Sequence, residues 1–200
     1  MDEKLIMGTY PVLRRFTPEE YLQLERASIS KNEYVDGLIY AMAGGTMEHA
    51  RIVKNVDRAL EQQLEGGPCE TWSADFKIAI SDSGPYFYPD LSVICGEPEL
   101  LAGGRDGAKN PVVVVEVLSK STRKYDRDTK AVLYKEIPSI RHILLISQYS
   151  LAVEHQVRGR SGRWNAETFT GRAATVKLIA IGAELTLSAI YNKLLLPSKV

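Results

Sequence analysis

Two carboxylates near the middle of the chain have the residue type and the surroundings for chemistry. Glu116 lies inside an apolar run, Val112–Leu118, which is typical of a strand covered on both faces. An ionised carboxylate in such a strand is costly unless it is paired or binds a cation. The sequence therefore predicts a positively charged group, either a side chain or a metal ion, beside Glu116.

Asp90 is the second carboxylate, and it begins the apolar segment Asp90–Cys95. A loop rich in glycine and proline separates this segment from the valine run. If the two strands pair antiparallel, Asp90 and Glu116 lie together at one end of a sheet. A divalent cation would relieve the repulsion between them. The residue types leave a second interpretation open, in which Lys or Arg pairs with Glu116 and Asp90 is a turn residue.

Periodicity and turn signals predict the elements that must position these residues. Helices are expected at residues 17–26, 48–64, 122–137 and 187–195, with Thr17, and Ser121 or Thr122, as N-caps. Strands are expected at residues 33–35, 38–42, 70–80, 86–95, 111–118, 140–146, 151–157 and 164–169. This order predicts one α/β sandwich with a mixed sheet.

Lys130 is the cation best placed to meet the carboxylates. It shares a helical stripe with Leu133, Tyr134 and Ile137, where an apolar residue is expected. The other interpretation is an ordinary surface pair between Asp126 and Lys130 at i,i+4. Lys120 is a rival, because it has the same side-chain parity as Glu116 if the strand continues that far.

Composition limits the possible classes of protein. A chain of 200 residues that is 44% hydrophobic predicts a single domain over residues 1–200, and its net charge of zero excludes a globally basic nucleic-acid binder. Apolar runs are too short to span a bilayer, and the start Met1–Lys4 does not resemble a signal peptide. Cys69 and Cys95 lack metal-ligand spacing, so we expect two reduced thiols in a cytoplasmic protein.

An ordered set of motifs resembles the Uma-type family of restriction-endonuclease-like proteins, a branch of the PD-(D/E)XK nuclease superfamily. The motifs are Phe16–Tyr21, Glu33–Gly37, Tyr88–Val93 and Val114–Ser119, followed by Ser121-Thr122, Asp126, Lys130 and Tyr134. The resemblance covers the chain from about Phe16 to Leu187. It implies an α/β (α+β) restriction-endonuclease-like fold, with a central mixed β-sheet flanked by helices and additional N-terminal and C-terminal hairpins.

The same resemblance implies a Mg²⁺ site, in which Mn²⁺ can substitute, and DNA as the substrate. Asp90 and Glu116 would be metal ligands together with the carbonyl of Val117. The family lysine normally lies two residues after the acid, but this chain has Leu118 there, and Lys130 matches the lysine displaced to the following helix.

The resemblance also assigns accessory positions. Glu33 matches an acid that assists the metal or orients water, although a solvated acid at a strand edge is the alternative. His49 matches a polar position, although its place on an apolar stripe also suits a hydrogen-bonded core histidine. Asp126 is expected to hold Lys130 in place.

The expected activity is metal-dependent hydrolysis of DNA phosphodiester bonds, with a homodimer supplying two sites and with no membrane partner. A second hypothesis is a catalytically weak or inactive module that binds nucleic acid or a protein, motivated by neutral charge and by Leu118. A third treats Asp90 and Glu116 as a glycosidase acid–base pair, but it gives no role to Lys130.

Overall fold

The structure is a computed structural model that describes residues 14–42, 44–120 and 122–196. The N-terminal segment Met1–Lys4 and Ser121, both used in the sequence predictions, lie outside the described residues. Within the described ranges no helix combines the length and apolar character that a membrane crossing requires.

Thirteen strands are present in the described part of the chain. They are β1 Asn32–Val35, β2 Leu38–Ala41, β3 Cys69–Ser73, β4 Lys77–Ala79, β5 Tyr86–Phe87, β6 Leu91–Cys95, β7 Gly107–Ala108, β8 Pro111–Leu118, β9 His142–Ser147, β10 Ala152–Arg158, β11 Trp164–Thr170, β12 Thr175–Leu178 and β13 Ala183–Thr186. The helical elements are α1 Pro18–Ala27, α2 Met47–Leu64, α3 Arg123–Tyr125, a π-helix Asp126–Lys130, α4 Ala131–Tyr134, a 3₁₀-helix Ile179–Ile181 and α5 Leu187–Ile190.

A six-stranded sheet in the order β11-β10-β9-β8-β6-β3 forms the centre of the fold. Strands β8 and β9 are parallel, and the remaining neighbours are antiparallel, so the sheet is mixed as predicted. Two smaller groups accompany it: a five-stranded sheet in the order β2-β1-β5-β4-β7, and the hairpin β12-β13.

The valine run is buried on both faces, because its residues alternate between two cores. Val113, Val115 and Val117 pack with α2 in one core. Val114 and Leu118 pack with α4 in the other. Glu116 shares the parity of the second group, so its side chain points towards the helix that carries Lys130.

Helix starts follow the capping residues. Thr17 forms a capping box with Glu20, and Thr46 accepts a hydrogen bond from the His49 N–H at 3.2 Å. The Asp36-Gly37 hairpin turn was also predicted, and both residues have positive φ, as such turns require. Ser121 or Thr122 was predicted as the next N-cap. Thr122 is the N-cap residue of α3, but its side chain makes no capping hydrogen bond.

Two long predicted strands are each broken in the structure. Residues 70–80 divide into β3 and β4, which belong to different sheets, because a turn closes with the Phe76 N–H bonded to the Ser73 carbonyl at 3.0 Å. Residues 86–95 divide into β5 and β6 around Pro89, which has no N–H to donate to a ladder. The hairpin β12-β13 was not predicted.

The prediction of two reduced thiols is wrong. Cys69 and Cys95 form a disulfide with an S–S distance of 2.00 Å. They are directly opposed where β3 pairs antiparallel with β6. A separation of 26 residues conceals this pairing in the sequence.

Candidate active site

Asp90 and Glu116 meet at one end of the central sheet. Strands β6 and β8 pair antiparallel with Leu91 opposite Val115, and the next step of this register sets Asp90 opposite Glu116. Opposed residues of an antiparallel pair lie on the same face. Both carboxylates line a cavity of about 360 Å³.

Lys130 brings a positive charge between the two sheets. Its Nζ lies 2.8 Å from Glu116 Oε1, 2.8 Å from Glu33 Oε1 and 3.9 Å from Asp126 Oδ1. Its side chain is 4% exposed. Glu33 comes from β1 of the five-stranded sheet, so the lysine joins that sheet to the Glu116 strand.

The interpretation in which a basic side chain pairs with Glu116 is therefore correct as far as the contact goes. Asp90 is more than a turn residue, because the Val117 N–H donates to its Oδ2 at 2.6 Å. His49 Nε2 lies 3.1 Å from the same oxygen. A Cβ on Gly45 would lie 2.9 Å from His49 Nδ1, so the absence of a side chain at Gly45 makes room for this histidine.

Tyr134 and Tyr88 support the acids. The Tyr134 hydroxyl donates to Glu116 Oε1 at 2.7 Å, and the Tyr88 N–H donates to Glu33 Oε1 at 3.1 Å. Sequence reasoning placed Tyr134 on the apolar stripe and gave it no polar role. Its position four residues after Lys130, on the same helix face, was the available signal.

A π-helix positions the lysine. The Ala131 N–H bonds to the Asp126 carbonyl, a spacing of five residues, and Asp126 and Lys130 are both buried. Single π-turns are frequent at functional sites. The sequence predicted a continuous helix here, because a π-turn has no distinct periodic signature at this length.

Lys120 is not brought to the site. It is exposed, and it is absent from the cavity lining. Its backbone N–H donates to the Tyr149 hydroxyl at 2.9 Å. The structure thus places Glu33, His49, Asp90, Glu116, Val117, Asp126 and Lys130 around one cavity and leaves Lys120 outside it.

Carboxyl groups outnumber cationic side chains at this site. Burial raises the pKa of Glu116 well above its usual value, and Lys130 only partly opposes this shift. Burial would lower the pKa of Lys130, but Glu116, Glu33 and Asp126 raise it, so this lysine remains an ammonium. The hydrogen bond to Asp90 raises the pKa of His49. A further cation would relieve the repulsion among the carboxylates.

The donor set is suited to a hard divalent cation. Asp90 Oδ1 and Glu116 Oε2 accept no hydrogen bond from the described residues, and both side chains line the cavity. No group of three His, Cys, Asp or Glu side chains in the described ranges is arranged to hold a metal. Two carboxylates with water and substrate oxygens are the kind of set that Mg²⁺ uses.

The fold and this carboxylate–lysine arrangement define a restriction-endonuclease-like protein. The described chain superposes with a TM-score of 0.70 on the crystal structure of "a putative nuclease belonging to DUF820 from Anabaena variabilis ATCC 29413", at 16% identity over 88% of this chain and 97% of that one. The chain belongs to the Uma2 family, described as "Putative restriction endonuclease", which matches residues 18–188. This membership supports a nuclease function in general.

Two relatives from Synechocystis sp. (strain ATCC 27184 / PCC 6803 / Kazusa) match nearly the whole chain. Uncharacterized protein slr1290 is 35% identical over 90% of this chain and 93% of its own length. Uncharacterized protein sll1609 is 31% identical over 86% of this chain and 96% of its own length.

Proposed function

We propose that this protein is a Mg²⁺-dependent endonuclease that hydrolyses phosphodiester bonds of DNA. The observation that carries the proposal is the position of Asp90 opposite Glu116, with Lys130 Nζ 2.8 Å from Glu116 and all three side chains in the cavity lining. A surplus of carboxyl groups, one buried ammonium and a concave site together suit phosphoryl chemistry.

The residues of the site would have separate roles in this reaction. Asp90, Glu116 and the carbonyl of Val117 would hold Mg²⁺, or Mn²⁺ in its place. The ion would polarise the scissile phosphate and lower the pKa of a bound water. Lys130 holds a fixed positive charge where the attacked phosphate gains negative charge.

Glu33 and Asp126 keep Lys130 oriented, and Glu33 is also near enough to orient water. His49 and the Val117 N–H contact Asp90 Oδ2 and fix the orientation of this carboxylate, as hydrogen bonds to metal ligands commonly do. Cleavage of both strands of a duplex requires two such sites, which a homodimer would supply.

Plasmid nicking in Mg²⁺ or Mn²⁺ tests the proposal. Asp90→Asn keeps an acceptor for the Val117 N–H but loses the charge, so we expect activity to fall at least 100-fold. Asp128→Asn is the control for the loss of an acidic side chain, because Asp128 is exposed, belongs to the π-helix that carries Lys130, and lies outside the cavity lining. Equal nicking by wild type and Asp90→Asn, with circular dichroism unchanged, would contradict the proposal.

A second candidate is a nuclease-fold module that binds nucleic acid or a protein without cutting. It is favoured by the direct ion pair of Lys130 with Glu116, which engages one oxygen of the proposed metal ligand. DNA binding that weakens with salt, with no turnover in Mg²⁺, Mn²⁺ or Ca²⁺, would support this candidate.

A further inference from the structure

Two tyrosines form one wall of the cavity beside the carboxylates. Tyr40 comes from β2 and Tyr125 from α3, and their ring centroids lie 6.0 Å apart at an angle of 38°. Tyr40 is 42% exposed, whereas Tyr125 is half-buried. Because the two rings are tilted, a planar group cannot insert between them in parallel. The exposed ring of Tyr40 is therefore the surface on which a planar group can stack.

The ion pair of Glu116 with Lys130 in the lining of the same cavity is recessed. Glu116 and Lys130 are each 3% exposed. A cavity of about 360 Å³ has the size of a small-ligand site and is far smaller than a section of double helix. A recessed site of this size favours a phosphate whose attached nucleoside has left the stacked duplex or was never paired.

The Tyr125 hydroxyl is buried and has no hydrogen-bond partner among the residues that the structure describes. Burial raises the pKa of this hydroxyl, so it remains a donor. A buried donor without a partner is costly, and a ligand oxygen in the cavity would satisfy it. Nucleotides supply such acceptors on phosphate, sugar and base.

Exposed cations lie on the same helical turn as Tyr125. Arg123 and Lys124 are both exposed, and they precede Tyr125 directly. They can contact flanking phosphates, which position a strand without reading its sequence. The zero net charge of the chain does not suggest a broad surface for duplex phosphates.

We infer that Tyr40 stacks an unpaired nucleobase while the Tyr125 hydroxyl donates to the same nucleotide, so that this site takes single-stranded or locally unpaired DNA. The inference rests on the proposed nuclease function for its phosphate chemistry. Stacking on an aromatic ring tolerates any base, which makes the site selective for strand structure rather than for sequence.

Fluorescence anisotropy with labelled oligonucleotides in Ca²⁺ tests whether Tyr40 and Tyr125 bind an unpaired nucleotide. We expect the full chain to bind a single strand at least 10-fold more tightly than a blunt duplex of the same sequence. Tyr40→Ala should weaken single-strand binding about 10-fold, which is the scale of one stacked base, and should leave duplex binding unchanged. Tyr40→Phe keeps the ring and should bind like wild type.

Two further variants sharpen the result. Tyr125→Phe should weaken single-strand binding without destabilising the fold, because its hydroxyl bonds to no described protein group. Tyr149→Ala is the control for the loss of an exposed tyrosine, since Tyr149 is 47% exposed and lies outside the cavity lining. Circular dichroism checks that the fold survives the loss of the hydrogen bonds that the Tyr149 hydroxyl accepts from the Lys120 N–H and from Gln148. Equal losses for Tyr40→Ala and Tyr149→Ala would overturn the inference.

Cleavage assays in Mg²⁺ separate this inference from the proposed function. Cuts confined to single strands, or to an unpaired flap on a duplex, support both. Equal cutting of single strands and blunt duplex overturns the stacking inference and leaves the nuclease proposal standing. Tyr40-dependent binding of single strands with no cleavage in any metal overturns the nuclease proposal alone.

Discussion

Lys130 carries its ammonium group into a buried position where three carboxylates surround it. The lysine contacts Glu33 and Glu116 at 2.8 Å, and Asp126 lies farther away at 3.9 Å. An ammonium in such surroundings compensates charges that would otherwise be buried without a partner. The lysine is thus structural, in addition to the chemical role proposed for it.

Lys130→Met should lower the free energy of unfolding by about 3–5 kcal/mol, because it leaves buried carboxylates uncompensated. Lys120→Met should change it by less than about 0.5 kcal/mol, since Lys120 is exposed. Urea denaturation at pH 7 measures both. Similar losses in the two variants would contradict the assignment of Lys130 as the buried cation.

Tyr134 gives a second test at the residue scale. Its fully buried hydroxyl donates to Glu116 Oε1, which Lys130 also contacts. Tyr134→Phe should therefore lower the free energy of unfolding by only about 1–2 kcal/mol, because the acceptor keeps a charged partner. Denaturant unfolding gives the value, and a loss as large as that of Lys130→Met would show that the hydroxyl, rather than the ammonium, holds Glu116.

At the scale of elements, helix α2 begins at the site. Thr46 caps the helix at the His49 N–H, and its hydroxyl donates to Gln148 Oε1 at 2.6 Å. The cap therefore fixes the turn from which His49 reaches Asp90. A helix start anchored to a second element in this way gives its first side chains a defined direction.

Thr46→Ala should lower the free energy of unfolding by about 1 kcal/mol, the usual cost of a lost N-cap. Thr46→Ser keeps the hydroxyl and should restore most of that stability. Thermal and urea unfolding of both variants measures the effect. Equal destabilisation by alanine and serine would show that the threonine methyl, not its hydrogen bonds, matters here.

The sequence was informative where local chemistry decides structure. Burial of the valine run on both faces, the antiparallel meeting of Asp90 with Glu116 and the displaced lysine all followed from periodicity, turn residues or the family motifs. The roles proposed for these residues stay predictions until activity is measured.

Other features depended on long-range pairing, which one sequence does not display. To predict the disulfide between Cys69 and Cys95, one must know that β3 pairs with β6. The contact between Glu33 and Lys130 spans 97 residues and joins β1 to the π-helix. The Tyr125 hydroxyl bonds to no described residue. This results from the packing around it, which the spacing of residues in the sequence cannot reveal.

At the scale of the whole molecule, a buried histidine pair lies away from the cavity, between β9 and β10. His142 Nδ1 lies 2.9 Å from His155 Nε2, and the Ala180 N–H donates to His142 Nε2 at 3.2 Å. Because Nε2 accepts, the proton of neutral His142 is on Nδ1 and is donated to His155. Neither ring can gain a proton without losing one of these bonds.

This pair should make the protein sensitive to acid. Burial, with a contribution from His155, lowers the pKa of His142 to about 4, whereas the unfolded value is about 6.5. The unfolded chain therefore binds more protons between these values, so the free energy of unfolding should fall as the pH drops from about 6.5 to about 4, by up to about 3 kcal/mol. His142→Phe removes the contribution of His142 to this pH dependence. The free energy of unfolding of each protein is measured with urea at several pH values. Subtracting one from the other at each pH cancels the contribution of the carboxylates that both proteins share. Parallel pH dependences in the two proteins would show that the histidine pair is not responsible, whereas a difference that opens only below about pH 6.5 would assign the acid sensitivity to His142.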